Sequence, residues 1–309
     1  MMNFNSLKTF FLLVILTVFF VFIGGLLGGQ NGAAIAFGFA LVMNFFSYWF
    51  SSSIVLRMYN AKPVTEAEAP QLYNMVRKLA TVAGLPMPKV CIIPNPTPNA
   101  FATGRNPAHG VVAVTSGIMQ MLTPEELEGV IAHELSHIKG RDILIGTVAA
   151  TIAGAVMMLA NFARYASIFT GNRDSREGGA GNLVVLLVVS ILAPIAAMIV
   201  QMAVSRTREF EADASAAQLT RQPMALAGAL QKISHGVATV PMDAQPATAH
   251  MFIMNPLSGR KALNLFSTHP AVEDRIKKLK DMDITGQGRQ YNDLSGIKQG
   301  GSGKNPIFR

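Results

Sequence analysis

Charge is what this chain has least of. Of its 309 residues only 14% are Asp, Glu, Lys or Arg, against 50% hydrophobic ones, and the mean hydropathy is +0.34. A typical soluble domain carries roughly 25% charge. The balance therefore excludes an ordinary water-soluble enzyme and indicates a membrane protein with a soluble part. Cysteine is nearly absent as well. Cys91 stands alone, which excludes an internal disulfide and fits a reducing compartment. It lies in the apolar run 90–93 and reads as a small core residue, not a nucleophile. There is no internal repeat and no basic patch interleaved with aromatics. The formal charge of +8 is accounted for by basic residues flanking apolar runs and by a basic tail, both attracted to an anionic leaflet. Nucleic-acid binding is not expected.

The missing charge is concentrated. Between Lys8 and Arg57 there is no charged side chain, only two apolar blocks split by Gly28-Gly29-Gln30-Asn31-Gly32. Each block is about 20 residues, enough to cross the hydrocarbon core as helix, so 9–28 and 33–55 are predicted as a transmembrane hairpin. A cleaved signal peptide competes for the first block, but its apolar run exceeds the usual 7–15 residues and a second block follows. Two more uncharged runs, 143–163 and 182–204, are joined by a Gly-rich, charged stretch at 171–181. They are predicted as a second hairpin, for four spans in all. Buried core helices are the alternative, since the first run is rich in Ala and Gly and Pro194 interrupts the second. Lys8, Arg57, Lys62, Lys139, Arg141, Arg206 and Arg208 all flank one side of these spans. That bias puts both termini and the soluble part in the cytoplasm.

The chain divides accordingly into a hairpin at 1–57, a cytoplasmic α/β part at 58–142, the second hairpin at 143–204, a helical part at 205–283 and a flexible tail at 284–309. Helices are expected at 65–83 (opened by Thr65, stopped at Gly84), 206–220, 224–235 and 270–281. Short strands are expected at 88–93 and 110–115, and 237–268 reads as irregular.

Residues 133–137 read His-Glu-Leu-Ser-His. On a helix, His133 and His137 leave one face a turn apart, so both imidazoles can bind one Zn²⁺. Glu134 is rotated by roughly 100°, out of competition as a ligand but placed to serve as general base toward an activated water. The context suits a helix. Thr123-Pro124-Glu125-Glu126 supplies an N-cap, a proline at the first position and a capping-box glutamate, and Gly140 a stop. A bare His-Glu-His cluster buried without a metal would be costly.

A catalytic zinc needs a third protein ligand. Candidates are Asp142, Glu209, Glu211, Asp213, His109, His235, His250 and His269. Asp142 would have to fold back to reach the metal and is expected to pair with a nearby basic group. Glu209 and Asp213 are four apart on one face of a short helix emerging on the same side as the motif. One could bind the ion while the other bonds a ligating imidazole; spacing alone does not say which.

Four segments in order, Asn99–Gly104 (Asn-Ala-Phe-Ala-Thr-Gly), His133–His137, Ser205–Ala214 (Ser-Arg-Thr-Arg-Glu-Phe-Glu-Ala-Asp-Ala) and Ser267–Arg275 (Ser-Thr-His-Pro-Ala-Val-Glu-Asp-Arg), resemble the HtpX family of bacterial membrane-bound zinc metallopeptidases, relatives of the CAAX prenyl endopeptidase. The resemblance implies an α-helical membrane bundle carrying an α+β zincin-like (gluzincin) domain, one zinc per chain, and a role in membrane-protein quality control under stress at the bacterial inner membrane. It implies Glu209 as the ligand, Asp213 as the residue orienting a histidine, His269 near the scissile carbonyl with Arg275 behind it, and Asn99, Ala100, Phe101 and Ala102 as a strand edge for the substrate. In such a site His269 could donate to the tetrahedral oxyanion.

The expected activity is a membrane-anchored zinc endopeptidase acting on protein substrates, membrane proteins above all, because an apolar run resumes six residues after His137. Two rivals are weighed. A site-2-type intramembrane protease would place its motif in an apolar span and use an Asp-Gly pair, and the chain has no Asp-Gly. A non-catalytic zinc-binding membrane scaffold or transporter subunit would put ionisable residues inside its spans, and the four runs hold none.

Overall fold

A computed structural model describes residues 4–154, 205–257 and 269–284. The end of the run 143–163 (155–163), the connection 171–181, the run 182–204, residues 258–268 and the tail from 285 lie outside the described residues.

The apolar N-terminal stretch forms one helical element, α1 (Phe4–Met58), broken at Gly28 and Gly29, where Gly29 has φ 59. The break folds it into the expected hairpin. The arms approach so closely that a Cβ on Gly24 would collide with Ala36 and the Gly32 carbonyl, a contact only glycine permits. Further along, Asn44 Nδ2 donates to the Thr17 hydroxyl at 2.9 Å and the Phe20 and Phe39 rings meet edge to face. Its second arm, Gly28–Met58, is long and apolar enough to cross a membrane. Among the described residues, all the exposed large apolar side chains except Val82, Met119, Met121 and Met224 belong to α1.

The soluble part is a small sheet with helices packed on it. Strands β1 (Lys62–Pro63), β2 (Lys89–Ile93), β3 (Ala100–Thr103) and β4 (Val111–Thr115) lie in the order β1-β2-β4-β3. Only β2 and β4 run parallel. Helix α2 (Pro70–Ala83) ends at Gly84 in the left-handed conformation, as expected. It begins five residues later than Thr65 because Thr65 and Glu68 close a turn of their own, with both Thr65 donors on the Glu68 carboxylate, and because Pro70 disfavours helix at Ala69.

After α3 (Ser116–Met121) comes α4 (Pro124–Gly140), which carries the His-Glu-Leu-Ser-His motif. Then follow α5 (Asp142–Gly154), α6 (Arg206–Thr220), α7 (Pro223–Thr239) and α8 (Val272–Ile284). Helix α4 is central, touching α2, α6, α7 and β3. Its Val130, Ile131, Leu135 and Ile138 join Val76 and Leu79 of α2, Val112 and Val114 of β4, and Leu226, Leu230 and Ile233 of α7 in one core. A second cluster joins Leu144, Ile145, Val148 and Ile152 of α5 to Leu13, Leu16, Phe20, Met43 and Tyr48 of the hairpin. The helix after the motif therefore docks on the membrane-type element.

Candidate metal centre

Local signals account for α4. Thr123 Oγ1 accepts the Glu126 N–H at 3.3 Å while the Glu126 carboxylate accepts the Thr123 N–H at 2.9 Å, a closed capping box with Pro124 at the first position. Its C-terminus departs from expectation. Gly140 stays helical and Arg141 takes the left-handed turn, φ 58. That turn swings Asp142 back along the helix, so that its Oδ2 meets His137 Nδ1 at 3.1 Å and its Oδ1 meets Arg208 Nη1 at 3.0 Å. The basic partner was anticipated; the imidazole was not.

Helix α6 crosses α4 at the motif. His133 Nε2 and His137 Nε2 are 3.1 Å apart, and the Glu209 carboxylate lies 3.8 Å from the first and 3.5 Å from the second. A tetrahedral zinc with bonds of about 2.0–2.1 Å requires ligand atoms about 3.3 Å apart, and the three separations bracket that value. Glu209, Asp213 and Asp142 stand against the two guanidinium groups of Arg275 and Arg208, so the cluster keeps net negative charge even with the imidazoles neutral and Glu134 protonated. A cation offsets that charge, and the donor set of two imidazoles and a carboxylate is one zinc accepts. The residues fit the ion.

Each imidazole is held by its other nitrogen. His133 Nδ1 meets Asp213 Oδ1 at 2.9 Å. Arg275 grips Asp213 through Nε at 2.8 Å and Nη2 at 2.6 Å, and donates from Nη1 to the Ile253 carbonyl at 3.0 Å. His137 rests on Asp142 and Arg208 as described. Burial alone would push these carboxyls up, but the guanidinium and imidazole beside each holds Asp213 and Asp142 below the usual carboxylate range. Burial likewise opposes ionisation of Glu209, yet His269 and His137 hold it well below. Glu134 is different: burial dominates and its carboxyl is pushed up to about 7.

The remaining expected residues gather around this centre. His269 Nδ1 lies 3.0 Å from Glu209 Oε2 and its Nε2 donates to the His250 carbonyl at 3.1 Å, so both ring nitrogens are engaged. Ala102 lines the cleft and its backbone N–H faces the Glu134 carboxyl. The rest of the expected open edge is covered: the Ala100 carbonyl accepts the Ile253 N–H at 2.9 Å, and Phe101 bridges to Phe252. Among the other candidates for third ligand, Glu211, His109 and His235 are exposed and outside the cluster. His250 lines the cleft but donates from Nε2 to the Gly146 carbonyl at 3.1 Å.

Residues 66–283 match the model of Peptidase family M48. A "Protease HtpX homolog" of Thermodesulfovibrio yellowstonii is 58% identical over 278 residues, 90% of this chain and 98% of that protein. Another from Ralstonia pickettii is 55% identical over 287 residues, 92% and 99% respectively. Among solved structures, the crystal structure of S. mikatae Ste24p is similar at a TM-score of 0.49 with 17% identity, covering 89% of this chain; the chain spans 64% of that protein.

Proposed function

This chain belongs to peptidase family M48 and is a metalloprotease; on that premise we propose a membrane-anchored zinc endopeptidase working at the cytoplasmic face of a bacterial inner membrane. The observation that carries the zinc assignment is the trio His133, His137 and Glu209, with one ligand atom from each within 4.8 Å of the others. Those three residues would hold the ion. Bound there, zinc would polarise the peptide carbonyl and make a nearby water more acidic.

Glu134 takes the water's proton and hands it to the leaving amine. Burial, which raises its carboxyl above the usual carboxylate range, makes it a stronger base than a solvated glutamate and suits a group that must accept and release a proton. Asp213 and Asp142 fix the two imidazoles so that both Nε2 lone pairs converge. Arg275 holds Asp213 in turn. His269 steadies the oxyanion by exchanging the His250 carbonyl for the substrate's. An extended substrate pairs with the edge of β3 at Ala102.

Anchoring is argued from α1, whose second arm suits a bilayer and whose apolar side chains are exposed. Orientation rests on Arg57 and Lys62 at its end. The cleft is walled on one side by Ile143, Gly146 and Thr147 of α5, the helix docked on that hairpin. Substrates that are themselves membrane proteins, presented as cytoplasmic loops or damaged stretches, follow from this proximity, and with them a part in membrane-protein quality control.

The test compares the full chain in detergent with Glu134→Gln, reading zinc content and cleavage of an unfolded membrane protein. Zinc should be retained and cleavage should fall by about 10²-fold or more. Equal cleavage by both would remove Glu134 from the mechanism. Glu209→Gln should lose the zinc itself.

A further inference from the structure

The outer edge of β3 is where an extended peptide would add as a strand, and most of it is already in use. Phe101 pairs inward with Ala113 of β4 and Thr115 donates to the Asn99 carbonyl at 3.0 Å. By the alternation of an antiparallel ladder, Ala100 and Ala102 turn their peptide groups outward. Residues 245–254 cover that side: a 3-10 turn, Pro246–Met251, leads into Phe252, which bridges antiparallel to Phe101. The Ile253 N–H takes the Ala100 carbonyl. Asn99 adds a further rung: its Nδ2 donates to the Met254 carbonyl at 2.8 Å and its Oδ1 accepts the Met254 N–H at 3.3 Å.

This segment is built in. The Phe252 ring, fully buried, meets Phe101 and Tyr59 with centroids 5.1 Å from each. The Tyr59 hydroxyl bonds Thr248, Arg275 holds the Ile253 carbonyl, and the His250 carbonyl accepts from His269. At the other end of β3, Thr103 Oγ1 is hydrogen-bonded to Thr147 Oγ1 of α5 at 2.9 Å. Between the two closures Ala102 lines the cleft; its N–H faces the Glu134 carboxyl, and among the described residues its carbonyl is the edge group left for a peptide.

We propose that residues 245–254 are a fixed wall that sets how this peptidase reads its substrate, leaving the Ala102 carbonyl as the one edge group, among the described residues, open to a peptide's backbone. The inference rests on the peptidase reading above and deepens it. A peptide running antiparallel to β3, as β4 and the wall both do, heads toward Ala100 on the C-terminal side of its scissile bond. There, among the described residues, it finds no free backbone partner and meets the wall's side chains, Ile253 and Met251 among them. Selection on that side is by side-chain fit, and backbone register is enforced only beside the scissile bond.

A backbone N-methyl scan tests this on the purified, zinc-loaded full chain in detergent. A peptide cleaved at one bond is compared with versions methylated singly at each amide, three residues to either side. Methylation beside the scissile bond should lower kcat/KM about tenfold, the loss of one hydrogen bond, and methylation of the second and third residues on the C-terminal side less than about threefold. Tenfold losses at those outer amides would mean that the Ala100 carbonyl serves the substrate, and the wall would be refuted. A flat profile would overturn the Ala102 window. Asn99→Ala, which frees Met254, should carry the penalty outward; a profile identical to wild type would count against the wall as the boundary. If the unmodified peptide is not cleaved at all, the peptidase reading itself fails, an outcome distinct from the others.

Discussion

The two histidines of α4 are held by the same device built at two depths. Behind His133 stand Asp213 and Arg275, and behind His137 stand Asp142 and Arg208. The side chains of the first trio are 0%, 4% and 1% exposed, while those of the second are 16% each. The deep trio is assembled from α4, α6 and α8, so it exists only once the soluble part has folded. Two of the three members of the rim trio, His137 and Asp142, come from α4 and the residue just past its closing turn. Depth decides what happens when a member is lost. At the rim, water can take up an abandoned carboxylate; in the interior nothing replaces the partner.

The largest effect should therefore come from Arg275→Met. It strands Asp213 beside Glu209, and breaking a buried pair costs about 3–5 kcal/mol. Denaturant unfolding of the purified chain should register that loss, with Arg208→Met costing less than about 1 kcal/mol. Equal losses would break the distinction between the two trios. Next in size is metal affinity. Removing the group that orients a ligating imidazole costs about 10–100-fold. Asp213→Asn should fall near the upper end and Asp142→Asn near the lower in competitive zinc titrations, and the reverse order would show that the rim trio governs the ion.

The same contrast separates what could be read from the sequence from what could not. Helix α4 was legible almost to the residue because its signals are local: Thr123, Pro124, Glu126 and the four-residue spacing of the histidines. The hairpin was legible because an uncharged stretch split by glycines has few other uses. Glu209 and Asp213 were recognisable as a pair on one helix face, but which oxygen meets which nitrogen depends on the crossing of α6 over α4, a tertiary fact. Asp142 behind His137 escaped notice because the stop was assigned to Gly140, whereas Arg141 takes the left-handed turn. The wall at 245–254 was invisible. Without helical or strand periodicity, its course is set by the β3 edge, Tyr59 and Arg275, none of them nearby in sequence.

The smallest expected effect separates the trios by a property other than size. An ion pair near solvent is screened as the Debye length shrinks from about 10 Å at 0.1 M salt to about 3 Å at 1 M, while a desolvated pair is screened far less. Arg208 and Asp142 are 3.0 Å apart with 16% of each exposed; Arg275 and Asp213 are 2.6 Å apart and buried. The difference in zinc affinity between wild type and Arg208→Met should therefore shrink as salt is raised across that range. Under the same change the difference for Arg275→Met should hold nearly constant. If both shrink together, water reaches the deep trio as readily as the rim, and burial is not what distinguishes the two supports of the metal.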